Sequence, residues 1–210
     1  MTDWVLPPLE IERRSFAIID AEAGEHSWPP DQWSVLRRMI HTTADFEYVS
    51  GARFHPGAVE AGVAALRSGA AIVTDTNMAK SGISRARLAA WGNPVECYIA
   101  HPEVAAIAKE RGITRAMAAA DHAAALHPKG IHVIGNAPTA LFRLLELIEA
   151  GQADPALVVG LPVGFVNAAE SKAALVKSPA VYISNQGRKG GSNLAAAVIN
   201  ALAELAKARV

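Results

Sequence analysis

Two hydrophobic periods alternate along this chain, one of 3.6 residues and one of continuous short apolar runs, and together they predict a layered α/β arrangement. Leu36, Met39 and Ile40 follow Trp33 at steps of three, six and seven, the stripe of an amphipathic helix that runs from Asp31, the expected N-cap, to the Thr42-Thr43 region. An earlier helix spans residues 9–23 with Phe16, Ile18 and Ile19 turned inward, and Pro29-Pro30 breaks the chain after it. His55-Pro56 opens a further helix that Gly69 closes. From there, apolar strands near residues 71–74, 95–99, 131–134, 157–160 and 180–184 are separated by helical segments near 102–111, 114–126, 138–150, 168–176 and 194–208. Continuous apolar strands between helices predict a mostly parallel five-stranded sheet with helices on both faces: three layers, in a single domain of residues 1–210.

The helix through Trp33 also carries chemistry. At a hundred degrees per residue, Ser34, Arg38, His41 and Asp45 fall within one sector of roughly 60° beside the apolar stripe, where a polar edge can line a pocket. Histidine exchanges a proton near neutrality without special tuning. Helical geometry alone leaves His41 open between a surface residue and a proton-transfer group.

In an open parallel sheet, ligands bind beyond the carboxyl ends of the strands. The loops there are Asp75-Thr76-Asn77-Met78, Gly135-Asn136-Ala137-Pro138-Thr139, Gly160-Leu161-Pro162-Val163-Gly164-Phe165 and Gly187-Arg188-Lys189-Gly190-Gly191-Ser192-Asn193. The last has the features of an anion site: glycines, a following helix N-terminus, and two full charges in Arg188 and Lys189. The same residues also suit ordinary turns. No loop has the order of a P-loop or of a dinucleotide fingerprint, and the histidines show no metal-ligand spacing.

Lys plus Arg and Asp plus Glu balance at 20 each, so there is no global basic field for nucleic acid. No apolar run approaches the roughly 18 to 20 residues of a membrane span, and the start Met1-Thr2-Asp3-Trp4 lacks a signal peptide, so the expectation is a soluble, cytoplasmic protein. The single cysteine, Cys97, forms no internal disulfide and reads as a buried small hydrophobe.

Five stretches in order resemble one family: Arg38-Met39-Ile40-His41-Thr42-Thr43-Ala44-Asp45, Thr74-Asp75-Thr76-Asn77-Met78, Gly135-Asn136-Ala137-Pro138-Thr139-Ala140-Leu141-Phe142, Gly160-Leu161-Pro162-Val163-Gly164-Phe165-Val166 with Ala168-Ala169-Glu170-Ser171-Lys172, and Gly187-Arg188-Lys189-Gly190-Gly191-Ser192-Asn193. They are similar to the precorrin-8X methylmutases of cobalamin biosynthesis, from about Ile11 onward. The resemblance implies a homodimeric α/β isomerase, without added cofactor or metal, that moves a methyl group from C-11 to C-12 of a corrin precursor, metal-free or cobalt-loaded. It implies that His41 is the proton donor or acceptor and that Ser15 and Arg38 touch the substrate. Thr42, Asp75, Arg115 (at a helix start after Thr114), Asn136, Arg188 and Lys189 are the further candidates for binding the carboxylate-rich tetrapyrrole. The rival reading is a corrinoid carrier without turnover, although no DxHxxG-type cobalt-ligating motif is present and Asp121-His122 has the wrong spacing.

Overall fold

The structure, a computed structural model, describes residues 6–208, so the opening Met1-Thr2-Asp3-Trp4 lies outside it. Helices α1 (Pro8–Ala23) and α2 (Pro30–Thr43) come first, and a short α3 (Glu47–Gly51) runs directly into strand β1 (Ala52–Phe54). Then α4 (Ala58–Arg67) leads to β2 (Ile72–Thr74), and the short α5 (Asn77–Gly82) and α6 (Arg85–Leu88) lead to β3 (Val95–Glu96). Two helices, α7 (Pro102–Arg111) and α8 (Arg115–Leu126), precede β4 (Ile131–Ile134). The chain closes with α9 (Pro138–Glu149), β5 (Leu157–Gly160), α10 (Ala168–Lys177), β6 (Tyr182–Asn185) and α11 (Ser192–Ala208). No helix among the described residues is long and apolar enough to cross a membrane.

The strands form one sheet in the order β1-β6-β5-β4-β2-β3, with six members rather than the expected five. All neighbours are parallel except β1, which pairs antiparallel with β6 through Ala52↔Asn185, Arg53↔Ser184 and Phe54↔Ile183. Three residues are too few to show a period, which is why the sequence pattern predicts no strand at residues 52–54. At the other edge β3 stops at Glu96, and Cys97 beyond it is only half-buried rather than a core residue.

Side-chain alternation divides the core. Leu157 and Val159 of β5, with Ile131 and Val133 of β4, pack against α2, α4 and α11, whereas Val158 and Ile134 face α9 and α10 on the other side. Helix α11 lies closest to the centre: Leu194, Val198, Ile199 and Leu202 are all fully buried, and it packs against both α2 and α4. Val35, Leu36, Met39 and Ile40 give α2 a fully buried face. Burial of each such side chain contributes roughly 1.5–3 kcal/mol, so the helix is held firmly up to the residue before His41.

Three helix details differ from the sequence reading. Pro29 precedes the first turn of α2 and Asp31 sits inside it, its carboxylate accepting the Gln32 N–H at 2.8 Å, because proline already suits the start of a helix. Helix α4 starts at Ala58, after a turn in which His55 Nδ1 accepts the Gly57 N–H at 3.3 Å. On α1 only Ile19 is buried, while Ile18 is exposed, since the helix lies on α2 along one narrow face.

The β6–α11 loop passes against the β5–α10 loop so closely that a Cβ on Gly190 would lie 2.2 Å from the Leu161 carbonyl oxygen and 2.6 Å from that of Pro162. Backbone cannot give way as a flexible side chain can. Gly190→Ala is therefore expected to lower unfolding free energy by about 1–3 kcal/mol in equilibrium urea titrations, the range for overpacking. A loss below about 0.5 kcal/mol, the scatter of neutral surface changes, would show that the two loops separate freely.

Candidate functional site

The site begins where α2 ends. Ala44 adopts the left-handed conformation at φ 52°, and its N–H donates to the Ile40 carbonyl at 2.7 Å. This stops the helix two residues past His41 and leaves the imidazole exposed on its last turn. A non-glycine residue in this region costs on the order of 1–2 kcal/mol, a cost the firm anchoring of α2 absorbs.

Helix α1 supplies the surroundings of His41. Phe16 meets the imidazole edge-on, with ring centroids 5.4 Å apart, and the same ring lies beneath both the Arg37 and Arg38 guanidinium groups at 4.4 and 4.8 Å. Such cation–π contacts hold arginines in place without neutralising them. Each arginine also has a carboxylate partner on α1: Arg38 donates to Glu12 at 2.5 Å and Arg37 to Asp20 at 2.8 Å, while Trp33 Nε1 donates to the other Asp20 oxygen at 2.9 Å. The Arg38 guanidinium holds the Glu12 carboxyl below the ordinary carboxylate range. Ser15 and His41 share an open cavity of about 340 Å³ floored by Ile19 and Ile40. The Ser15 hydroxyl donates to the Ile11 carbonyl at 2.8 Å, and the Thr42 hydroxyl to that of Arg38 at 2.9 Å, so each keeps oxygen lone pairs free to accept from a ligand.

The second half of the site arrives from the far end of the chain. Lys189 donates to Asp45 at 2.5 Å and reaches Glu47 at 2.9 Å, which fastens the β6–α11 loop beside the end of α2 and raises the lysine's pKa. Arg188 is exposed, with its guanidinium 5.5 Å from the centroid of Phe165 in the β5–α10 loop. Phe165 is 84% exposed and Val166 77%, so this loop presents an apolar tongue next to cationic groups. The start of α11, expected to offer free N–H groups to an anion, is packed inward instead: Ser192 is buried, with its hydroxyl 2.7 Å from that of Thr76.

Asp75 lies behind the loops. It is 6% exposed, and its two oxygens accept the N–H groups of Gly135, Asn136 and Ala137 at 2.9, 2.8 and 2.8 Å. Burial pushes its pKa up while the three donors pull it down. This geometry makes Asp75 a clamp on the β4–α9 loop, with its oxygens turned to backbone rather than to an open cavity. The Asn136 side chain is exposed on that loop. Arg115 is exposed at the first position of α8, in the helix layer opposite α2, so this chain does not bring it to His41. The sequence reading gave Phe16 only as an inward-facing residue and did not name Glu12 or Asp20; the spacing of four and four that puts all three on one face of α1 was the available signal.

The fold and the site together define an α/β protein with an exposed histidine at a helix end, beside a cationic, partly apolar loop face at the carboxyl end of a parallel sheet. The model of the precorrin-8X methylmutase family matches residues 10–205, and the chain belongs to that family. It is 43% identical to a cobalt-precorrin-8 methylmutase of Priestia megaterium, over 97% of this chain and 90% of that one. It is 45% identical to a precorrin-8X methylmutase of Pseudomonas aeruginosa, over 97% and 98% of the two chains. The solved structure of a precorrin-8X methylmutase from Thermus thermophilus superposes with a TM-score of 0.88 at 48% identity, covering 95% of this chain and 98% of that chain.

Asp75→Asn exchanges one acceptor oxygen for an NH₂ facing backbone N–H groups. It is expected to destabilise the protein by about 1.5–3 kcal/mol, the range for hydrogen bonds to a charged group, in urea unfolding at pH 7. Wild-type stability in that variant would assign Asp75 a role other than clamping the loop.

Proposed function

We propose that the 210 residues form one methylmutase domain that isomerises precorrin-8X, or its cobalt-loaded form, by moving a methyl group from C-11 to C-12 of the macrocycle. The observation that carries this reading is His41: an exposed imidazole on a rigid helix, edge-on to Phe16, over a cavity shared with Ser15 and flanked by Arg38. The shift is intramolecular, so no atom is gained or lost, and the protein's work is to place one proton and to hold one ring conformation. His41 donates a proton or hydrogen bond to the conjugated ring, which makes the accepting carbon more electrophilic. A positioned acid of this kind contributes about 10² to 10⁴ in rate.

Ser15, Arg38, Thr42, Asn136, Arg188 and Lys189 are the proposed contacts for the substrate's acetate and propionate arms, with Asp75 acting through the loop it clamps. Arg115 joins them only if it reaches the site from a second copy. A cavity of about 340 Å³ lies at the small end of the roughly 300–1,000 Å³ usual for ligand sites, and a tetrapyrrole needs more wall than one chain offers there. The exposed Ile18 in the wall of that cavity, with exposed Leu9 and Ile11 earlier on the same helix, supports a homodimer in which a second copy supplies the missing wall. Helices of this length and polarity and a family of biosynthetic enzymes fit a cytoplasmic location.

Turnover of isolated precursor, followed by visible absorption, separates this reading from a corrinoid carrier. His41→Ala is expected to keep the fold and product affinity while single-turnover rates fall by about 10² to 10⁴. A folded variant with near-normal rates would remove His41 from the chemistry.

The ion pair between Arg38 and Glu12 has a further consequence, because a substrate carboxylate must compete with Glu12 for the guanidinium. Glu12→Gln is expected to lower KM about two- to fivefold, the worth of a partly exposed pair. An unchanged or raised KM would mean that Glu12 orients Arg38 rather than competing with the substrate.

A further inference from the structure

A second charged cavity lies on the other side of the sheet from His41, between α10 and the β1–β6 edge. Its volume is about 380 Å³, and its wall carries three cationic residues, Arg53, Lys172 and Lys177, with no acidic residue among them. Lys172 is the unusual member. Lysine is almost never fully buried unless paired with an acid. Lys172 is 1% exposed, and its ammonium donates only to neutral acceptors, the Asn185 Oδ1 at 3.1 Å and the Lys189 carbonyl at 2.5 Å. No carboxylate among the described residues forms an ion pair with it. Burial alone lowers its pKa to about 8, which leaves the ammonium mostly protonated at neutral pH.

Arg53 reaches the same wall from β1. One terminal nitrogen, Nη1, is engaged by the carbonyls of Ser50 and Ala52 at 2.8 and 2.7 Å, a grip that fixes the guanidinium without neutralising it. Lys177 stands in the last turn of α10, where a cation is explained by the helix dipole alone. That explanation does not reach Lys172, one and a half turns earlier and inside the protein, or Arg53 on a strand. Three like charges around one cavity repel one another, and the state that relieves the repulsion has an anion between them.

We propose that this cavity is a binding site for a small divalent oxyanion, a phosphate or a dicarboxylate, held by Arg53, Lys172 and Lys177. The site is separate from the one proposed for the tetrapyrrole, since Arg53 lies in β1 with Ala52 and Phe54 pointing to the opposite face. It is nevertheless mechanically joined to it. Lys172 holds the backbone of Lys189, and the Lys189 side chain grips Asp45 beyond the end of α2.

Calorimetric titration of the whole protein with inorganic phosphate and, separately, with succinate tests this, against chloride at matched ionic strength. Saturable binding of either anion is expected, with a rise in Tm of about 3–5 °C at tenfold excess over Kd. The Lys172 ammonium, followed by NMR, should titrate about one pH unit higher in saturating anion, an effect that a purely structural lysine would not show. The double variant Arg53→Gln/Lys177→Gln alters two accessible side chains and keeps the buried lysine in place. It should bind at least about tenfold more weakly, while Arg53→Lys with Lys177 intact should retain most of the affinity. Binding of phosphate alone or of succinate alone identifies which oxyanion the cavity takes. Absence of saturable binding by both, or equal affinity in the folded double variant, would overturn the proposal.

Discussion

A carboxylate sealed inside a protein must find donors, and the way Asp75 finds them ties together the loops at the carboxyl end of the sheet. Its oxygens take three consecutive backbone N–H groups from the loop after a different strand, so the β2–α5 and β4–α9 loops move as one body. The hydroxyl contact between Thr76 and Ser192 adds the start of α11 to that body. The Gly164 N–H donates to the Arg188 carbonyl, and the Gly191 N–H to that of Leu161, which adds the β5–α10 loop. Four loops from four strands thus share one network of fixed backbone groups. A loop face assembled this way presents backbone dipoles that are fixed in advance.

The histidine is positioned by other means. Helix α2 is fixed by apolar packing on α11 and ends on a left-handed alanine, and the Asp45 that follows it pairs with Lys189 of the loop network. The two halves of the site therefore share the core between α2 and α11 and, nearer the surface, a charge pair that salt weakens. Helix α1 is attached more loosely still, with Ile19 as its one buried residue and carboxylates that engage Arg37 and Arg38. Of the two helices that wall the cavity, α2 is anchored in the core, while α1, with one buried residue, is the one better able to adjust to a large ligand.

Much of this was legible from periodicity. Strands β4 and β5 fall on the residues expected, because continuous runs such as Leu157-Val158-Val159 between helices have few other readings. His41 stands at the exposed edge that helical phase assigns it, since a stripe as strong as Leu36, Met39 and Ile40 fixes the rotation of the whole helix. What stayed hidden was tertiary. Lys189 and Asp45 are 144 positions apart, and Arg38 and Glu12 are 26 apart, so no local pattern could pair them. Lys172 misleads in the opposite direction: a lysine in an amphipathic helix reads as surface, yet here it replaces an apolar residue inside the protein. Asp75 also reads as a ligand contact from its place after a strand, and only its three backbone partners show which way it faces.

The two ends of the sheet limit how copies of this chain can associate. Strand β1 has three residues and β3 only two, so neither border offers a long row of unpaired N–H and C=O groups. Pro56, just past β1, also removes a donor from any extension of that border. A sheet continued across two molecules would gain too few hydrogen bonds to persist, and short borders of this kind guard α/β proteins against fibrous aggregation. The surfaces that remain for any such contact are the helical layers and the loop face, where side chains rather than backbone decide which surfaces recognise each other.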